Sequence, residues 1–185
     1  TDEEIIAEAE SIDATGTGIT GGDPLCVMER TLHMIRMLKE RFGPEHHIHL
    51  YTATIDLEKA LQLEEAGLDE IRFHPPVDMW DHMQDTALSE IVASTGMDVG
   101  IEVPAIPNTE DRLVSLVEYA NSVGVKFINL NELCVSSDQI GELAHGSFSG
   151  FFAVCKANDE HAFIRIDNLF HVFYLPMDCS AIPLK

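Results

Sequence analysis

Apolar residues recur along this chain in two alternating periods. Short apolar runs near Ala14–Thr20, Ile48–Thr52, Glu70–His74, Asp98–Val103 and Phe127–Leu130 have the length and continuity of buried strands. The stretches between them carry apolar residues at three- and four-residue steps, the spacing of one helix face. The clearest runs through Leu25, Met28, Leu32, Ile35, Leu38 and Phe42. A second spans Leu57–Ala66 after Asp56 as N-cap. A third, near Trp80–Thr95, carries Met83, Ala87, Leu88, Ile91 and Val92. A fourth, Glu110–Val123, follows Thr109 and carries Leu113, Leu116, Val117 and Ala120. Gly43, Gly67, Gly96 and Gly124 stand where each helix should stop, at intervals of 24 to 29 residues. Glycine reaches the left-handed C′ conformation without steric cost, so these are stop signals.

A strand, a loop, a helix and a glycine stop, repeated, make βα units. Parallel strands with right-handed helical crossovers follow, giving an α/β fold, either a barrel or a doubly wound sheet. The chain opens on a helix with Thr1 and Glu4 at capping-box spacing, acidic residues in its first turn, and an apolar stripe of Ile5, Ile6 and Ala9. Beyond Ser136 the pattern weakens. Ser147–Val154 and His171–Leu175 read as two further strands, with Asn158–Asn168 as a helix between them. No linker interrupts the chain, so residues 1–185 are expected to form one domain, with clear βα units over 1–137 and a less regular part over 138–185.

Composition narrows the function classes. The 185 residues hold 32 Asp and Glu against 11 Lys and Arg, a net charge of 11 − 32 = −21. That charge disfavours nucleic acid and anionic membrane as partners and leaves small molecules. Hydrophobic residues make up 45%, enough for a core and against disorder. No apolar run reaches the roughly 18 residues of a membrane span, and no leader pattern opens the chain, so a cytoplasmic location is expected. The first residue is Thr1 rather than Met, which reads as a fragment. Cys26, Cys134, Cys155 and Cys179 lie far apart with no C-x-x-C pair. They fit reduced, mostly buried thiols rather than a disulfide framework or zinc site.

In parallel α/β folds ligands bind at the carboxyl ends of the strands. Here those are the loops Gly21–Pro24, Ala53–Asp56, Pro75–Met79, Pro104–Asn108 and Glu132–Ser137. His46, His47 and His49 resemble a metal cluster, but His46 and His47 precede a strand, on the opposite, structural end. Only His47 and His49 share a strand face, so no metal ligands are assigned. His74 ends a strand before Pro75-Pro76 and points to the functional end, where an imidazole can ligate or move a proton, or simply hydrogen-bond a loop. Glu102 lies late in an apolar strand, where a carboxylate needs either a ligand or a cation such as Arg72. Asn129 and Asn131 alternate onto one side of the last clear strand, with Glu132 after them. The methionines of the first crossover helix read as core.

The strongest local motif is Gly16–Leu25, "GTGITGGDPL". A strand runs into Gly21-Gly22, where backbone can approach a ligand closely, then Asp23, then Pro24 preset for a helical turn. Asp23 is either an N-cap or a group facing a cation such as an ammonium. No phosphate-loop pattern is present.

At these residues the chain resembles the radical S-adenosylmethionine (radical SAM) superfamily, in particular archaeal-type proteins related to pyruvate formate-lyase activating enzymes. The resemblance covers roughly residues 1–137. Gly21, Gly22, Asp23 and Pro24 match the family's Gly-Gly-Glu-Pro motif, with Asp in place of Glu, at the strand end that receives the amino group of S-adenosylmethionine. "VGIEVPAIP" stands where the family's fifth strand lies near the adenosyl moiety, and "FINLNEL" where its sixth lies. The resemblance implies a partial (β/α) barrel, S-adenosylmethionine as cofactor, and cofactor contacts from Gly21, Gly22, Asp23, Pro24, His74, Glu102 and Asn131. It also implies a [4Fe–4S] cluster held by C-x-x-x-C-x-x-C after the first strand, a motif these 185 residues lack. The expectation is therefore a barrel lacking its first strand and cluster loop, whose full form generates a 5′-deoxyadenosyl radical for hydrogen abstraction. Two other readings stay open. One is a cluster-free α/β-barrel lyase or isomerase with His74 and Glu102 as acid and base. The other is a non-catalytic barrel remnant.

Overall fold

A computed structural model describes residues 1–106, 108–131, 151–155 and 161–165, the last two segments by their backbone. The chain begins with helix α1 (Asp2–Ser11), then alternates strand and helix: β1 (Gly16–Ile19), α2 (Met28–Phe42), β2 (His47–Thr52), α3 (Leu57–Ala66), β3 (Glu70–Phe73), α4 (Leu88–Ser94), β4 (Asp98–Pro104), α5 (Glu110–Val123) and β5 (Phe127–Asn131). The five strands form one sheet in the order β1-β2-β3-β4-β5. β1 pairs in parallel with β2, Gly16 opposite His47, and β2 with β3, His49 opposite Glu70. A doubly wound sheet reverses its order at a switch point. This one runs straight through, the order a partial barrel has.

Two compact units divide the chain: residues 1–75 with 84–100, and residues 76–83 with 101–185. In the first, alternation along β2 decides which side is core. Ile48 and Leu50 are fully buried, with Ile35, Leu38, Ala60 and Leu63 from α2 and α3. The intervening His47, His49 and Tyr51 are more open and carry the polar side of the sheet. In the second unit Val103, Leu113, Leu116, Ala120 and Phe127 are buried.

Several boundaries follow the sequence closely. Leu57–Ala66 and Glu110–Val123 are the observed helices, the first capped by Asp56 accepting from Lys59 N–H at 3.0 Å. The capping box of Thr1 and Glu4 is formed. Gly67 and Gly124 end their helices in the left-handed conformation, while Gly43 has positive φ but an extended ψ.

Other expectations need correction. The helix read over Trp80–Thr95 is α only from Leu88 to Ser94, and two tight 3-10 turns, Val77–Met79 and Met83–Asp85, stand before it. Trp80, which closes the first turn, and Met83, which opens the second, are both buried, and their three-residue spacing reads as one helix face although the backbone between them is not helical. The same ambiguity moved the first crossover helix: Leu25 is buried within a 3-10 turn, Pro24–Val27, and the α-helix starts at Met28. Gly96 does not cap a helix; Thr95 does, with ordinary extended backbone. The helix read over Asn158–Asn168 is instead strand β7 (His161–Arg165). It pairs antiparallel with β6 (Phe151–Cys155), Phe152 opposite Ile164. Phe163 and Ile164 favour the pleated backbone, and the neighbouring strand satisfies its hydrogen bonds. The proposed strand His171–Leu175 lies outside the described residues.

Candidate functional site

β1 ends at Ile19, and the chain turns through Gly21, whose φ of +120° only glycine adopts without strain. A Cβ built on Gly21 or Gly22 would meet nothing within 4 Å, so both present bare backbone to open space. Asp23 then caps the 3-10 turn, accepting from Leu25 N–H at 2.9 Å. The same carboxylate reaches the end of β2. Its Oδ1 accepts from the Thr52 hydroxyl at 2.7 Å, and its Oδ2 from the Thr54 hydroxyl at 2.8 Å and Ala53 N–H at 3.2 Å. A carboxylate offers about four acceptor positions, and these four bonds use them. Burial pushes the Asp23 carboxyl upward as the largest single influence. The bonds from Thr52, Leu25, Thr54 and Ala53 together outweigh it and hold its pKa below the ordinary value. Two more ties fix the loop: the Thr31 hydroxyl donates to the Pro24 carbonyl at 2.8 Å, and Lys59 Nζ to the Leu25 carbonyl at 2.9 Å. Thr52, Thr54 and Lys59 were not singled out from the sequence. Their part in the loop depends on the parallel register, and no local spacing signals it.

His74 follows β3, with its backbone N–H on the Thr52 carbonyl at 2.8 Å. Its ring stacks on Tyr51 at 5.2 Å, and Tyr51 meets His49 edge-on at 5.3 Å. Arg72 lies over the Tyr51 ring at 5.1 Å, donates to its hydroxyl at 2.7 Å, and pairs with Glu70. His47 faces Glu70 at 3.5 Å, whereas His49 Nε2 lies against Gly18 on the other neighbouring strand. The two rings stand 6.0 Å apart, tilted by 38°, each with a different neighbour. Among the described residues no group of three or more His, Cys, Asp or Glu could hold a metal ion. His46 is buried and structural, bonded to the Thr17 hydroxyl at 2.8 Å and stacked on Phe42 at 4.7 Å. Cys26, expected among buried thiols, is exposed.

In the second unit β4 brings Glu102 beside β5. Asn131 Nδ2 donates to Glu102 Oε1 at 2.7 Å, and Asn129 Nδ2 to Oε2 at 3.1 Å. The alternation that put the two asparagines on one side thus gives each oxygen of Glu102 its own amide. Glu132 lies outside the described residues.

No protein-family model matches the chain. It is similar to a glycyl-radical activating protein. The relative is a Methanocaldococcus jannaschii protein named "Putative glycyl-radical enzyme activating enzyme", 38% identical over 154 residues, which cover 79% of this chain. The chain spans 40% of that relative's length. The relation agrees with the resemblance to radical SAM proteins and does not single out the pyruvate formate-lyase activating enzymes.

Proposed function

We propose that this chain is the S-adenosylmethionine-binding core of a radical SAM enzyme. The observation that carries the reading is the Gly21–Pro24 loop. Two bare glycines stand at a strand end, on a turn that the Asp23 carboxylate fixes through four hydrogen bonds. The similarity to a glycyl-radical activating protein supports it from an independent side.

In this reading Asp23 acts through the loop. An ammonium needs an acceptor with spare lone pairs, and the carboxylate has used its own. The backbone carbonyls of the glycine turn are left to receive the amino group, with Asp23 and Pro24 holding them in place. His74, Glu102 and Asn131 remain candidates for contacts with the cofactor or a substrate. A reduced [4Fe–4S] cluster would supply the one electron that splits the S–C5′ bond of S-adenosylmethionine into methionine and a 5′-deoxyadenosyl radical for hydrogen abstraction. The residues present do not fit that cluster. The sequence has no C-x-x-x-C-x-x-C, and among the described residues no group of three metal-ligating side chains gathers. Its thiolates would come from outside these 185 residues.

Calorimetry with S-adenosylmethionine tests the reading. Gly22→Val puts a side chain into the open space, and the affinity is expected to fall at least tenfold, about 1.4 kcal/mol, while the thermal midpoint stays unchanged. No binding by the unaltered chain, or equal binding by Gly22→Val, overturns it.

A further inference from the structure

Asn129 carries an anomaly that the S-adenosylmethionine reading does not use. Its side chain is buried, with 5% exposure, and its Oδ1 has no hydrogen-bond partner among the described residues. An amide can usually escape that state by exchanging its nitrogen and oxygen. Here it cannot. Nδ2 donates to Glu102 Oε2, and the exchange would set two oxygens against each other. Glu102 holds Asn131 the same way through its other oxygen. One carboxylate thus orients two amides two residues apart on one strand face. Each turns its nitrogen onto that carboxylate.

A buried acceptor without a donor costs roughly 1–3 kcal/mol. A protein can recover that cost when a ligand brings the donor. The acceptors stand beside a carboxylate in a chain of charge −21, so a cationic donor is favoured over a neutral one. We propose that Asn129 and Asn131, oriented by Glu102, form a subsite for a cationic N–H donor, an ammonium or guanidinium group of a substrate. Asn129 is the residue that determines the specificity. The inference stands on β4 and β5 alone and goes beyond the reading of the Gly21–Pro24 loop.

Methylguanidinium is the probe, followed through the side-chain amide signals of the ¹⁵N-labelled full chain, with ribose as a neutral donor of similar reach. Methylguanidinium is expected to shift the Asn129 and Asn131 signals. In Asn129→Leu, which keeps the size and removes the orphaned oxygen, its dissociation constant should rise at least tenfold. A dispersed amide spectrum of Asn129→Leu guards against a folding defect, and the response of the unaltered chain to methylguanidinium decides the proposal where that spectrum collapses. The proposal is overturned if methylguanidinium leaves both signals in place, if ribose shifts them as strongly, or if a folded Asn129→Leu binds as the unaltered chain does.

Discussion

The Thr52 hydroxyl, at the last position of β2, donates to Asp23 Oδ1 across 2.7 Å, tying the loop after β1 to the end of its neighbour. Removing the carboxylate leaves four donors without their acceptor. Asp23→Ala is expected to cost about 1–3 kcal/mol in urea unfolding, and Thr52→Val less. The acid limb gives a second readout. The folded pKa of Asp23 lies below its ordinary value, so its contribution is complete above the unfolded pKa and is lost as pH falls through the folded one. Asp23→Asn should flatten the stability profile below about pH 4. An unchanged acid limb would refute the assignment.

How much of this was legible in the sequence depends on the range of the interaction. Leu57–Ala66 and Glu110–Val123 were readable because their periodicity, caps and glycine stops are local and agree. Trp80 and Met83 carry the three-residue step of a helix face, yet they belong to two separate short turns, a break that the spacing does not show. The Gly21–Pro24 loop was visible as a motif, but not its partners, since Thr52 and Thr54 meet Asp23 only through the β1–β2 register. Glu102 was visible as an anomaly in an apolar strand. Its amide partners shared an alternation, yet nothing in either segment said that they meet.

Gly16 and Gly18 should differ sharply when replaced. A Cβ on Gly16 would stand 2.6 Å from the backbone oxygen of His47, and one on Gly18 would stand 2.7 Å from Nε2 of the His49 ring. Backbone in a paired strand cannot move alone, whereas an imidazole can swing aside. Gly16→Ala is expected to cost about 1–3 kcal/mol, the usual range for overpacking, and Gly18→Ala clearly less. Urea midpoints of the two variants decide it, and equal losses would contradict the geometry.

Lys39 joins α2 to the base of the sheet. Its Nζ donates to the Pro44 carbonyl at 3.0 Å, the His46 carbonyl at 2.8 Å and Asp69 Oδ2 at 2.7 Å. Asp69 Oδ2 also accepts from Ile48 N–H at 2.7 Å. Lys39→Met keeps the stem and strips the ammonium, with an expected loss of about 2–4 kcal/mol. The double variant with Asp69→Asn should fall short of the sum of the two losses by about 1–2 kcal/mol. Strict additivity in the double-mutant cycle would show that the pair is not coupled.

His46 makes stability depend on pH in the opposite limb from a gained ion pair. Burial lowers its pKa first, and the Lys39 ammonium lowers it further. Asp69, a backbone hydrogen bond at Ala14, and His47 face it too, the first two raising the pKa and the third lowering it. The net folded value is below the ordinary one, so near pH 7.5 the ring is neutral in both states. As pH falls through the ordinary histidine value of about 6.5, the unfolded chain takes up a proton that the folded chain resists, and stability declines. His46→Gln removes that titration. The stability difference between the unaltered chain and this variant should therefore shrink between about pH 7.5 and pH 5.5. A difference that stays constant across that window would mean that His46 titrates alike in both states.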